Sequence, residues 1–139
     1  MASIRRHVTR DVVTLEAGAP IRDAARLMAE KKIGSVAVRE DGAIVGLVTE
    51  RDLVVSVLAR AGNANQPIRE AMRAGLPRVP ADANESECAA LMRDNVTRHL
   101  LVEDQGQIVG VVSMRDIIQL MLDEKQFLID QLHTYIEGR

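Results

Sequence analysis

The sequence predicts a duplicated α/β (α+β) fold, two β-α-β-β-α repeats in tandem, and three observations carry that prediction. Ile44-Val45-Gly46-Leu47-Val48-Thr49-Glu50-Arg51-Asp52-Leu53 recurs as Ile108-Val109-Gly110-Val111-Val112-Ser113-Met114-Arg115-Asp116-Ile117, an offset of 64 positions (44 to 108). The same offset runs on without a gap: Ile4-Arg5 matches Ile68-Arg69, Ala25-x-Leu27-Met28 matches Ala89-x-Leu91-Met92, Val38 matches Val102, Gly42 matches Gly106 and Leu58 matches Leu122. Within each period, β-branched runs alternate with stretches of helical spacing. A colinear series of this kind is a tandem duplication.

In the first repeat, residues 4–62, a short segment from Ile4 to Val8 precedes a brief strand at Val12-Val13-Thr14-Leu15. Pro20 suits the first position of a helix reaching about Lys32. Ile21, Ala24, Ala25, Leu27 and Met28 make its apolar stripe, and Gly34 is the expected stop. Val36-Ala37-Val38 is a strand, Asp41-Gly42 a favoured hairpin turn and Ala43 to Val48 the return strand. Thr49 opens a helix that carries Leu53, Val54, Val57 and Leu58 and ends near Gly62.

Residues 63–67, Asn-Ala-Asn-Gln-Pro, form the linker. The second repeat, 68–122, follows the same plan: a short helix from Ile68, a strand at Arg78-Val79, a helix from about Asn84 to Val96, and strands from His99 to Glu103 and Gln107 to Val112. Its last helix starts at Ser113 and runs on through a tail, 123–139, that holds no breaker before Gly138. Leu128, Leu132, Tyr135 and Ile136 form one stripe there, of the kind that packs on a partner subunit.

Composition narrows the function classes. Of 139 residues 47% are apolar and 27% charged, and the net charge of −2 gives no reason to expect a nucleic-acid or membrane-surface partner. No apolar run reaches the roughly 18 residues of a membrane span, the first seven residues do not read as a secretory signal, and the single cysteine suits a reducing compartment. A cytoplasmic location is expected. Phe127 and Tyr135 are the only aromatics, so the core is aliphatic. His7, His99 and His133 are dispersed and lack metal-ligand spacing, Cys88 falls on an apolar helix face as a structural thiol, and no catalytic frame is recognisable.

Each repeated motif is a strand feeding a helix, with a hydroxyl residue followed three positions on by a carboxylate: Thr49 and Asp52, Ser113 and Asp116. That pattern is a capping box. A helix start also leaves backbone N–H groups that can hold an anion. Both readings are open from the residues alone.

The duplicated order, the Ala-x-Leu-Met helix, the Asp-Gly or Gln-Gly turn and the closing Gly-aliphatic-Val-Thr/Ser-x-Arg-Asp resemble the cystathionine β-synthase (CBS) domain, two of which make a Bateman module. The resemblance spans residues 4 to about 122. It implies clefts that take adenosine derivatives (AMP, ADP, ATP, S-adenosylmethionine or NAD), a homodimer formed through the helices of the repeats with the tail helix as a further candidate contact, a regulatory role towards another protein, and neither catalysis nor an obligatory cofactor. It gives Asp116 and Asp52 the ribose hydroxyls.

The resemblance also distinguishes the two clefts. Arg98-His99 replace Gly34-Ser35 just before the central strand, near the phosphates, so Ser113, Arg115, Asp116, Arg98 and His99 mark the better nucleotide cleft. Arg is favoured there for its forked geometry. Thr49, Arg51, Asp52, Gly34 and Ser35 mark a weaker one. The adenine would lie against Val12, Val13, Thr14 and Val36 in the first case, and against Leu76, Pro77, Arg78 and Leu100 in the second; ordinary sheet core is the alternative for each of these. Pro77 in place of Val13 removes a backbone donor. A ligand-sensing module is the leading function. An interaction dimer with vestigial clefts is the other.

Overall fold

The computed structural model describes residues 3–73 and 75–138. It contains two three-stranded sheets. The first is ordered β1 (Thr14–Glu16), β2 (Ser35–Glu40), β3 (Ala43–Thr49), and the second β4 (Arg78–Pro80), β5 (His99–Asp104), β6 (Gln107–Ser113). In each, the short outer strand runs parallel to the middle one, Thr14 opposite Ala37 and Arg78 opposite Leu101. Parallel neighbours need a crossover, which α1 (Ile21–Lys31) and α3 (Glu85–Asp94) supply. The hairpin turns carry positive φ at both central residues, 52° and 80° at Asp41-Gly42 and 51° and 78° at Gln105-Gly106. That is the tight turn matched to strand twist. The predicted duplicated α+β architecture is what the structure has.

Two helices differ in detail from expectation. α1 ends near Lys32 as expected, but Gly34 is not its cap: Lys32 takes the left-handed conformation at φ 54°, and Lys32 and Ile33 both donate to the Met28 carbonyl. Gly34 instead presents its carbonyl to the Glu50 N–H at 3.1 Å. The helix opened by Thr49 is α-helical only over α2 (Glu50–Leu53) and continues as a wider π-type turn over Val54–Ala59. Three β-branched valines and a serine in those six residues hold an α-helix poorly. The matching helix of the second repeat, α4, is regular from Met114 through Glu137.

The chain divides into two compact units whose boundaries cut across the sequence periods. One unit is Arg10–Leu76 with 105–109; the other is the chain up to Thr9, Pro77–Asp104, and Gly110 onward. The segment that leads each repeat thus belongs with the body of the other. Ile68 donates its N–H to Ala19 O at 2.8 Å, and Ile4 donates to Ala83 O at 2.8 Å, a pair of contacts related by the repeat offset. Both isoleucines are fully buried. Ile68 joins Ala17, Ile21, Ala24, Met28, Val36, Val38 and Val48 in the core of the first unit. In the second, Val79, Cys88, Met92, Leu100, Val102, Val112 and Ile117 are buried. Fully burying such an aliphatic side chain is worth about 1.5–3 kcal/mol.

The glycine of the repeated motif makes room for these leading segments. A Cβ on Gly110 would meet the Thr9 carbonyl oxygen at 2.5 Å, where Thr9 and Val111 exchange backbone hydrogen bonds of 2.9 and 3.0 Å. A Cβ on Gly46 would collide with the thioether of Met72, the residue matching Val8. Backbone cannot yield as a methionine tip can. Gly110→Ala is therefore expected to cost about 1–3 kcal/mol in urea unfolding and Gly46→Ala less than about 1 kcal/mol.

Candidate functional site

The two strand-to-helix junctions are built alike. At the first, the Asp52 Oδ2 accepts from the Thr49 N–H at 2.8 Å and from its hydroxyl at 3.0 Å, while the Thr49 Oγ1 accepts from the Asp52 N–H at 3.3 Å. At the second, the Asp116 Oδ2 accepts from the Ser113 N–H at 2.7 Å and hydroxyl at 2.9 Å, and the Ser113 Oγ accepts from the Asp116 N–H at 3.2 Å. Both are complete capping boxes. In each, Oδ1 of the aspartate stays outside the box.

One expectation about these junctions is corrected. The helix starts do not present an open row of N–H donors to an anion. The first helical N–H is taken by the residue preceding the central strand: Glu50 donates to Gly34 O, and Met114 donates to Arg98 O at 2.7 Å. The third is taken by the hydroxyl of the cap. A phosphate here would depend on side chains rather than on the helix terminus.

The same backbone bonds bring the candidate residues of each junction together. In the first unit Ser35 lies directly across from Thr49 in the β2–β3 register, next to Gly34. In the second unit the Met114-to-Arg98 bond sets Arg98 and His99 beside Ser113. Arg98 and Arg115 are exposed and, among the described residues, form no ion pair. Thr97 fixes the bend between them and α3: its hydroxyl donates to His99 O at 3.2 Å and accepts from the His99 N–H at 3.3 Å. Its neighbour Val96 sits at φ 48°, a conformation a β-branched residue rarely adopts. Neither Thr97 nor Val96 is singled out by the repeat pattern, since their counterparts are Ile33 and Lys32.

The residues expected beside an adenine are distributed over both units. Val12, Val13 and Thr14 are half-buried, with the Thr14 hydroxyl bonded to Val12 O at 2.8 Å and Val13 O accepting from Ala37 N–H at 2.8 Å. Val36 and Leu100 are wholly inside their sheets' cores. Leu76 is buried in the first unit; Pro77 and Arg78 belong to the second, where Pro77 O accepts from Leu101 N–H at 3.1 Å.

Two β-α-β-β-α units in tandem, each closing on a capped strand-to-helix junction, define a class of paired-repeat protein. The chain belongs to the CBS domain family, which it matches twice, over residues 4–59 and 68–123. CBS domains generally serve as regulatory, ligand-binding modules. The chain is 28% identical over 117 residues to the CBS domain-containing protein YhcV of Bacillus subtilis, covering 84% of each. Its fold matches a CBS-domain protein of Burkholderia ambifaria at a TM-score of 0.79 and 31% identity, covering 86% of this chain and 91% of that one. It also matches a hexameric CBS-CP12 protein from bloom-forming cyanobacteria at a TM-score of 0.73 and 27% identity, covering 85% of this chain and 70% of that one. No helix among the described residues is long and apolar enough to cross a membrane.

The groups whose pKa departs from its ordinary value lie on α3 and further along α4. Burial, and next the Glu87 charge, push the Cys88 thiol up to about 11, so it is an inert core residue. Burial of the Glu85 carboxyl, followed by the charge of Glu124 and a hydrogen bond to it, raises the Glu85 pKa. Asp123 goes the other way, lowered by hydrogen bonds from Gln119 and from His7, whose Nε2 lies 3.1 Å from Oδ2. A raised carboxyl pKa means the folded state holds that proton more tightly than the unfolded chain. Its contribution is present below the unfolded value and lost as pH rises through the folded one. Glu85→Gln should therefore raise the melting temperature at pH 7, with the gain shrinking towards pH 4, as calorimetric scans across that range would show.

Proposed function

We propose that the chain is a regulatory module that binds an adenosine-containing ligand, AMP, ADP or ATP, at the Asp116 junction and passes its occupancy to a partner protein. The observation that carries this reading is the Met114-to-Arg98 backbone bond, which gathers two exposed arginines and His99 around the Ser113–Asp116 cap. Arg98 and Arg115 supply forked donors for phosphate oxygens. The Asp116 Oδ1, outside the capping box, is the acceptor for a ribose hydroxyl. The Thr49–Asp52 junction has Gly34-Ser35 where the second has Arg98-His99, and so takes a less charged ligand or none. NAD and S-adenosylmethionine fit the same adenosine chemistry with fewer or no phosphates to hold.

A second reading has its own support. The capping boxes employ both aspartates structurally, and apolar residues stay exposed at positions matched by the repeat offset, Val54 and Leu58 in the first repeat and Ile118 and Leu122 in the second. These faces suit a homodimer whose assembly is itself the function. In the sensor reading the same dimer transmits ligand occupancy, which shifts it only as far as affinity differs between its states.

A thermal-shift panel with AMP, ADP, ATP, NAD, S-adenosylmethionine and adenosine, followed by titration calorimetry, separates the two. Saturating nucleotide at about 100 times its Kd adds about 2.7 kcal/mol to apparent stability. No shift from any of the six would leave the interaction dimer. Asp116→Ala should abolish tight binding while costing about 1 kcal/mol from the lost cap. Asp116→Asn keeps an acceptor for the Ser113 N–H and should lose binding with little change in melting temperature; unimpaired binding by both variants would sink the assignment. Replacing Arg98 and His99 together by alanine should weaken ATP more than adenosine, whereas an equal loss for both ligands would remove their phosphate role.

A further inference from the structure

α4 outruns the fold that it closes. Ile117 and Leu120 are buried against their own unit, but beyond Glu124 every described residue of the helix is exposed. Ile118, Met121, Lys125, Leu128, Leu132 and Tyr135 succeed one another by alternating steps of three and four, a single line along the helix. Leu122, Ile129 and Ile136 flank that line on one side. All of these apolar residues are exposed, from 39% at Ile129 to 69% at Tyr135. Lys125 is the one charge in the line.

The order of residues along the line selects what can cover it. A parallel, in-register copy would set Lys125 against Lys125 in the middle of the seam. Reversed, the line meets itself in matching layers: Ile118 faces Tyr135 of the second copy, Met121 faces Leu132, and Lys125 faces Leu128. Leu122 then lies beside Ile129 on the flank. The apolar residues near the start of α4 are covered by those near its end. The lysine stem packs on leucine and its ammonium reaches water. Antiparallel helix dipoles add to the preference. Asp123 to Glu137 carries Asp123, Glu124, Asp130 and Glu137 against Lys125, an acidic balance that does not suit an anionic lipid surface.

We propose that α4 pairs with α4 of a second copy of this chain as an antiparallel two-helix seam centred between Lys125 and Leu128. The assignment rests on the homodimer reading above and fixes its geometry. It extends the contact past the repeats into the tail.

Two sets of full-length variants test it, with mass followed by sedimentation. Positions 118 and 135 lie roughly 25 Å apart along one helix at about 1.5 Å per residue, too far for a bridge within a chain. In a Cys88→Ala background, Ile118→Cys combined with Tyr135→Cys should form covalent dimers under mild oxidation, while either alone should not. Covalent dimers from Tyr135→Cys alone would mean a parallel pair and overturn the proposal. Leu128→Asp with Leu132→Asp, both at exposed positions, should weaken the dimer roughly a hundredfold with the circular dichroism unchanged. A dimer of undiminished strength would overturn the tail seam but leave a dimer through the repeats' own helices standing. A parent chain that sediments as a monomer at tens of micromolar would overturn both.

Discussion

The carboxylate that closes each strand-to-helix junction is the interaction on which the arrangement depends. One oxygen of Asp52 or Asp116 accepts from both the backbone and the hydroxyl of the residue three places earlier. That fixes where the return strand ends and the closing helix begins. The first helical N–H is then free to reach back to the residue before the central strand, Gly34 or Arg98. The start of each closing helix, and the placing of Gly34 or Arg98 beside its cap, follow from this small ring of hydrogen bonds. A motif that does this much structural work would be retained with or without a ligand, which is why its presence alone does not decide between a sensor and an assembly module.

The two copies keep the same ring and diverge on either side of it. Upstream, Gly34-Ser35 stands against Arg98-His99, and the second copy gains charge and a left-handed valine at its approach. Downstream, α2 loosens into a π-type turn after one helical turn, whereas α4 continues as a regular helix for 24 residues. Duplication preserved what folds each copy, and the sequence on both flanks was left to specialise.

Much of the fold was legible because it rests on local chemistry. The Asp-Gly and Gln-Gly turns, the hydroxyl-x-x-Asp caps and the apolar spacing of α1 and α4 are short-range signals, and each lands where the pattern puts it. The end of α1 near Lys32 was legible but its left-handed cap was not, since a glycine two residues on looked the better left-handed residue and exposed Lys32 took that conformation. The π-type turn was hidden because valines at helical spacing satisfy the α pattern while resisting its geometry. At the candidate site, the capped aspartates and the Arg98–His99 pair were visible. The loss of open helix N–H groups was not, because the carbonyls that occupy them come from residues fifteen or more positions away.

The exchange of leading segments bears on how such a chain could have begun. A single copy of the repeat would have a pocket for a leading isoleucine and a leading isoleucine with nowhere of its own to go. Two free copies would satisfy each other by swapping, at the cost of holding two molecules together. Joining them through residues 63–67 turns that swap into a contact within one chain, where the tether holds the two partners at a local concentration of order millimolar. The fold then no longer dissociates on dilution. On this view the linker is the element that made a concentration-dependent assembly into a protein.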